Sequence, residues 1–265
     1  MKRHINCAKG IIYKELLRFL KQKSRFFSAL VRPLLWLFIF SVGFKMALGL
    51  AIIPPYETYI TYETYIVPGL IGMIMLFNGM QSSLTMIFDR EMGSMKILLS
   101  SSFNRNFLLF CKMLATAIVS TIQSITFLII AYFYGIEMSV LGYILVIPVI
   151  LFCSLILNAI ALFISSVIKQ LENFATVMNF VIFPMFFLSS ALYPLWKIKD
   201  SSIFLYTVSS YNPFTFIVEF IRFTLYTKFD LENFYLIIIS FVLALISAFI
   251  GYSSKNIFKK KSKKS

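Results

Sequence analysis

Few residues in this chain are equipped for chemistry. His4 is the single histidine, so neither a Ser-His-Asp triad nor a His-Glu-x-x-His zinc site can be assembled. Cys7, Cys111 and Cys153 stand far apart, and no disulfide framework or metal cluster follows from them. No G-x-x-x-x-G-K-[ST] run is present to cradle nucleotide phosphates. Asp and Glu are nearly absent from the apolar runs, which argues against a proton-coupled carrier. What remains is one dense polar stretch from Asp89 to Lys112, D-R-E-M-G-S-M-K-I-L-L-S-S-S-F-N-R-N-F-L-L-F-C-K. At its start Phe88, Met92, Met95 and Leu99 are spaced four, three and four, with Asp89, Arg90, Glu91 and Lys96 elsewhere. That spacing predicts a short amphipathic helix with an apolar ridge. Its chemistry is mechanical: the ridge fits either an apolar groove on a partner or the lipid surface, and both readings stay open.

The elements that must position this stretch are membrane spans. The chain has 265 residues, of which 59% are hydrophobic and 14% charged. Soluble domains carry roughly 45–50% apolar and about 25% charged residues. The excess falls in charge-poor runs of membrane length. Six spans are expected, at approximately 33–51, 66–88, 113–136, 141–168, 173–196 and 233–254. Lys45 interrupts the first near its outer end, where its stem can carry the ammonium to water. Asn78 and Gln81 in the second are polar groups that either join helices or meet substrate. Pro184 in the fifth is expected to kink it.

The net charge of +14 is one-sided. Twenty of the 25 Lys and Arg residues fall before the first span, in the Asp89–Lys112 stretch, at Lys169, or in the tail 255–265. With alternate loops on the same side, the positive-inside rule makes that side cytoplasmic and puts both termini there. A nucleic-acid partner is therefore not expected; the basic tail suits anionic lipid headgroups. Residues 4–25 read as an amphipathic interfacial helix, with Ile5, Ala8, Ile12, Leu16, Phe19 and Leu20 on one face and Lys14, Arg18, Lys21 and Arg25 on the other. It is either a passive anchor or an elbow that also contacts a cytoplasmic partner.

Two outer features complete the pattern. Y-E-T-Y-I occurs twice and spaces Tyr56, Tyr59, Tyr62 and Tyr65 by three. These tyrosines form either an aromatic belt at the outer interface or a substrate-exit surface. Between spans five and six, Asn212 is a plausible N-cap, Pro213 opens a helix, and Glu219 and Arg222 are three apart and able to pair. The helix is too short to cross, so a re-entrant or interfacial element is expected.

The motifs resemble the ABC type-2 transporter permeases, the membrane subunits of bacterial ATP-driven exporters. Glu91, Gly93, Leu98, Leu99, Arg105 and Lys112 match that family's first cytoplasmic loop, with Ser102 in place of the usual Pro and Cys111 in place of Gly. F-P-M-F-F-L-S-S-A-L-Y-P, Phe183 to Pro194, resembles the end of the fifth span, with Ser190 where Gly is common. N-P-F-T-F-I-V-E-F-I-R, Asn212 to Arg222, resembles the external re-entrant segment.

The resemblance implies one all-α permease domain over residues 1–265 in the bacterial inner membrane. It implies a transport subunit rather than an enzyme, with no cofactor on this chain. ATP and Mg would sit on a separate ABC ATPase subunit, and a second permease copy would complete a homodimer. The coupling surface would comprise Phe88, Arg90, Glu91, Gly93, Met95, Leu99 and Arg105, with Gly93 allowing close approach. The cargo would be hydrophobic or amphiphilic. Two other readings share the composition: a membrane-embedded enzyme of lipid metabolism, and a non-transporting anchor for an ATPase. The first needs a reactive cluster at one membrane face, and none is apparent.

Overall fold

The computed structural model of the chain describes residues 2–21, 23–44, 61–93, 103–168, 170–228 and 231–251. Lys45, Tyr56, Tyr59, Met95, Lys96, Leu98, Leu99, Ser102, Lys169 and the tail 255–265 lie outside the described residues. The described residues are helical and contain no strand. Ten helices follow one another: α1 Lys2–Lys21, α2 Lys23–Phe44, α3 Tyr62–Glu91, α4 Arg105–Phe133, α5 Val140–Val167, α6 Leu171–Phe187, α7 Leu195–Ser201, α8 Ile203–Ser210, α9 Pro213–Leu225 and α10 Leu231–Gly251.

Among the described residues α3, α4 and α5 are long and apolar enough to cross a membrane. Shorter apolar stretches occupy Ala29–Phe40, Leu171–Phe187 and Phe234–Ile250. α5 and α3 are the core of the bundle. α5 packs on α3, α4, α9 and α10, and α3 packs in addition on α2, α4, α6 and α9. Their interior faces are fully buried, with Leu70, Ile71, Met75 and Ile150 among the side chains without exposure.

Several elements end where the sequence pattern does not place them. α3 begins at Tyr62, four residues before the expected 66, because Tyr62 and Tyr65 are themselves buried in the bundle. α4 begins at Arg105 rather than 113, so the end of the polar stretch is already its first two turns. α6 stops at Phe187, well short of 196. Pro184 is followed by one last Leu188 N–H to Pro184 C=O bond of 2.9 Å. Asn212 then takes the exposed carbonyls, its Nδ2 donating to Met185 O (2.8 Å) and Leu188 O (2.5 Å). Its Oδ1 accepts from Phe214 N at 3.0 Å, so one side chain closes α6 and opens α9.

The expected amphipathic helix is present as α1 and packs on α4 and α2. Its apolar residues divide: Phe19 is buried in the bundle, whereas Ile5 and Leu20 stay exposed. The expected helix over Phe88–Leu99 is not continuous. Phe88 to Glu91 are the last turn of α3, and Gly93 breaks the chain with φ +78°. Only glycine adopts that backbone without strain.

Candidate functional site

Three consecutive charged residues at the end of α3 tie four helices together. Asp89 Oδ2 pairs with Lys112 Nζ on α4 at 3.0 Å. Arg90 Nη2 donates to Ile168 O at 2.9 Å and Nη1 to Ser165 O at 3.5 Å, both at the C-terminal end of α5. Glu91 Oε1 accepts from Leu171 N at 3.0 Å, at the first residue of α6. A cation thus meets the negative end of one helix dipole, and an anion meets the positive end of the next. The turn from α5 to α6 is clamped by adjacent residues of opposite charge.

Arg90 and Glu91 are thus engaged within the chain, Glu91 with an exposed side chain. Beside them Phe88 is 40% exposed and Met92 67%. Gly93 makes a left-handed turn, and a Cβ there would meet nothing within 4 Å. Arg105 stands in the first turn of α4, half-buried, with no partner for Nε among the described residues. The N-terminus of α1 joins this region, with His4 edge-on to Phe103 (5.3 Å) and Phe107 (5.2 Å).

At the opposite end of α3 a second polar node lies inside the bundle. Arg222 on α9 is 2% exposed. Its Nη1 binds Glu219 Oε1, one turn earlier. Its Nη2 donates to Ser190 O at 2.9 Å and faces Tyr65 O at 3.5 Å. The guanidinium carbon lies 4.0 Å from the Tyr65 ring centre, a desolvated cation–π contact. Tyr65 Oη donates to Ser190 O at 3.0 Å and Tyr62 Oη to Leu192 O at 3.0 Å. Burial pushes the phenol of Tyr193, next in the chain after Leu192, up from its ordinary value. Tyr62 and Tyr65 are therefore neither a lipid-facing belt nor an exit surface: both face protein. Gly69 lets the strap come close, because a Cβ there would sit 2.6 Å from Ala191 O.

Between the two ends, Asn78 Nδ2 donates to Gln123 Oε1, joining α3 to α4. Asn158 Nδ2 donates to Met113 O at 3.1 Å, joining α5 to α4. Asp89, Ser190, Asn212 and the 168–171 turn were not expected as site residues. Their long-range partners lie 23 to 125 residues away in sequence, and no spacing rule connects them.

The ABC-2 type transporter family model matches residues 8–226, which takes in both nodes and the helices between them. The chain belongs to the ABC-2 type transporter family. A Cyanophora paradoxa protein with the provisional name transport permease ycf38 is 27% identical over 219 residues, covering 80% of this chain and 72% of that one. This ABC-2 chain is accordingly a transport permease built of apolar helices, in a family that works in general with an ABC ATPase partner.

Proposed function

We propose that this ABC-2 chain is the permease subunit of an ATP-driven exporter in a bacterial inner membrane. It crosses six times, by α2, α3, α4, α5, α6 and α10, with both termini and the Asp89–Lys112 stretch in the cytoplasm. Two copies pair and take two ABC ATPase subunits, which bind ATP and Mg. The cargo is hydrophobic or amphiphilic.

The observation that carries this reading is the clamp at the end of α3. Asp89, Arg90 and Glu91 connect α4, α5 and α6 to one helix terminus. A push on Phe88 or Met92 is delivered to four helices together, because the ties leave α3 no freedom to move alone. In this scheme Phe88, Met92, Met95 and Leu99 fill the ATPase groove, Arg90 and Glu91 transmit, and Gly93 sets the angle of the handle. Arg105 faces the same junction from α4. At the far end Glu219 and Arg222 hold α9 against α3, so that motion of α3 reaches the external segment.

The test is affinity purification of the tagged permease from its own membranes, with ATP hydrolysis and ATPase subunit content measured in the eluate. Wild type brings down an ATPase. Met92→Glu loses it by at least about tenfold, since a charge in an apolar groove costs about 1.4 kcal/mol or more. Glu91→Ala retains the ATPase but uncouples hydrolysis from export. An eluate without ATPase from wild type, or with unchanged ATPase from Met92→Glu, overturns the assignment.

A further inference from the structure

A polar cleft lies between α1, α3 and α4, toward the end that carries Asp89 and Lys112. It is lined by facing rows one and two turns apart: Glu15 on α1, Asn78, Ser82 and Thr85 on α3, Lys112 and Thr116 on α4. Phe19, Met86 and Val119 supply its apolar walls.

The hydrogen bonds around it have a definite direction. Thr116 Oγ1 donates to Lys112 O at 3.1 Å. A hydroxyl has one hydrogen, so in the 2.8 Å contact between Ser82 Oγ and Thr116 Oγ1 the serine is the donor. Thr85 Oγ1 donates to Gln81 O at 2.9 Å. All three hydroxyl hydrogens are spent inside the protein, and the oxygen lone pairs are what remain for the cleft. One N–H of Asn78 is likewise engaged, with Gln123 Oε1. Behind it Gln123 is fully buried and its Nε2 has no partner among the described residues.

The charges point the same way. Lys112 is already matched by Asp89 at 3.0 Å. Glu15, half-buried at the edge of the cleft, has neither a hydrogen bond nor an ion pair among the described residues. One carboxylate is left over in a wall of hydroxyl oxygens that also carries the already paired Lys112 ammonium and the Asn78 amide. The group that completes such a wall is a cation with several N–H donors and no acceptor.

We propose that this cleft is a binding site for a primary ammonium group, held by the Glu15 carboxylate and the oxygens of Ser82, Thr85 and Thr116. A quaternary ammonium has no N–H and cannot use these oxygens. An anion would meet the lone carboxylate and spent hydroxyls. The ammonium comes either from an aminolipid headgroup or from a soluble amine, and the chemistry at the site is the same.

Lipid retention and thermal unfolding of the purified full-length chain decide the matter. In detergent micelles doped equally with phosphatidylethanolamine and phosphatidylcholine, lipid retained after washing is counted by mass spectrometry. Separately, unfolding of the delipidated chain is followed with ethanolamine or choline in the buffer. An aminolipid source gives phosphatidylethanolamine retained about tenfold over phosphatidylcholine, the factor expected for a charge-assisted hydrogen bond. Retention then falls stepwise through the mono- and dimethylated headgroups, a series that needs no variant. A soluble source gives stabilisation by ethanolamine and not by choline. Glu15→Gln, which preserves shape, abolishes whichever preference is seen. Equal retention of the two lipids together with no ethanolamine effect means a water-filled cleft and overturns the proposal, as does a preference unchanged in Glu15→Gln.

Discussion

Arg222 is the residue on which the Tyr65 end of the bundle depends. Its guanidinium is out of contact with solvent, paired with Glu219, hydrogen-bonded to the Ser190 carbonyl and stacked on Tyr65. Removing one member of a buried ion pair leaves the other uncompensated, so Arg222→Ala should destabilise by about 3 kcal/mol or more. Arg222→Lys should recover little of this. An ammonium cannot reach carboxylate, carbonyl and ring face with one rigid fork. Unfolding in detergent of both variants against wild type measures the difference; a lysine variant as stable as wild type would show that charge alone suffices. At the other end, Arg90→Ala and Glu91→Ala act on the same 168–171 turn. Each should cost about 1 kcal/mol, and the double variant should cost less than their sum, because the second loss finds the turn already loosened. A double-variant cycle on the same unfolding assay reads this directly.

Elements in this chain are joined by straps that cross sequence distance. α3 is held at its Tyr62 end by the 190–192 segment and at its Glu91 end by the α5–α6 turn. The 190–192 strap needs Gly69, where any Cβ would collide with the Ala191 backbone. Gly69→Leu should therefore push the strap off α3 and expose Tyr65. The readout is proteolysis of the purified chain within residues 188–212, which should speed up while the Glu91 end of the bundle stays protected. Gly93 is a different kind of glycine, open to solvent and required only for its backbone. Gly93→Ala should cost about 1 kcal/mol of local strain and leave the bundle's unfolding temperature nearly unchanged. Its effect should fall on the coupling of hydrolysis to export, measured as the ratio of the two rates. A large fall in unfolding temperature instead would place Gly93 in the packed body of the protein.

On the scale of the whole molecule the governing asymmetry is charge. Among the described residues α1 carries Lys2, Arg3, Lys9 and Lys14 and packs on α4, which carries Arg105 and Lys112, while α3 ends at Arg90 and Glu91. Orientation follows from this if cations remain on the cytoplasmic side. A cysteine placed at Ser201, on α7, should react with a membrane-impermeant thiol reagent added outside intact cells. A cysteine placed at Ser262 should react only after the cells are opened. Labelling of both from outside would remove the six-span arrangement with internal termini. The family match extends over residues 8–226, so it includes α7 but not the tail, and the tail's side has to be measured.

The sequence by itself determined the class of protein: long apolar runs, one-sided cations and the absence of any catalytic constellation are local facts, readable without a fold. Periodicity also marked α1, the Asn212–Pro213 start of α9 and the Glu219–Arg222 pair, because helical neighbours are three or four residues apart. It placed Tyr62 and Tyr65 on one side of a helix but not which side, since that depends on what packs there. The tertiary structure turned both inward, onto the main chain of residues 190–192. It likewise tied Arg90 and Glu91 to main-chain groups of the α5–α6 turn. A charge in sequence carries no record of its partner when that partner is a backbone group 80 residues away. Helix ends were misplaced for the same reason. α6 ends where Asn212 can take its carbonyls, and only the folded chain brings Asn212 there.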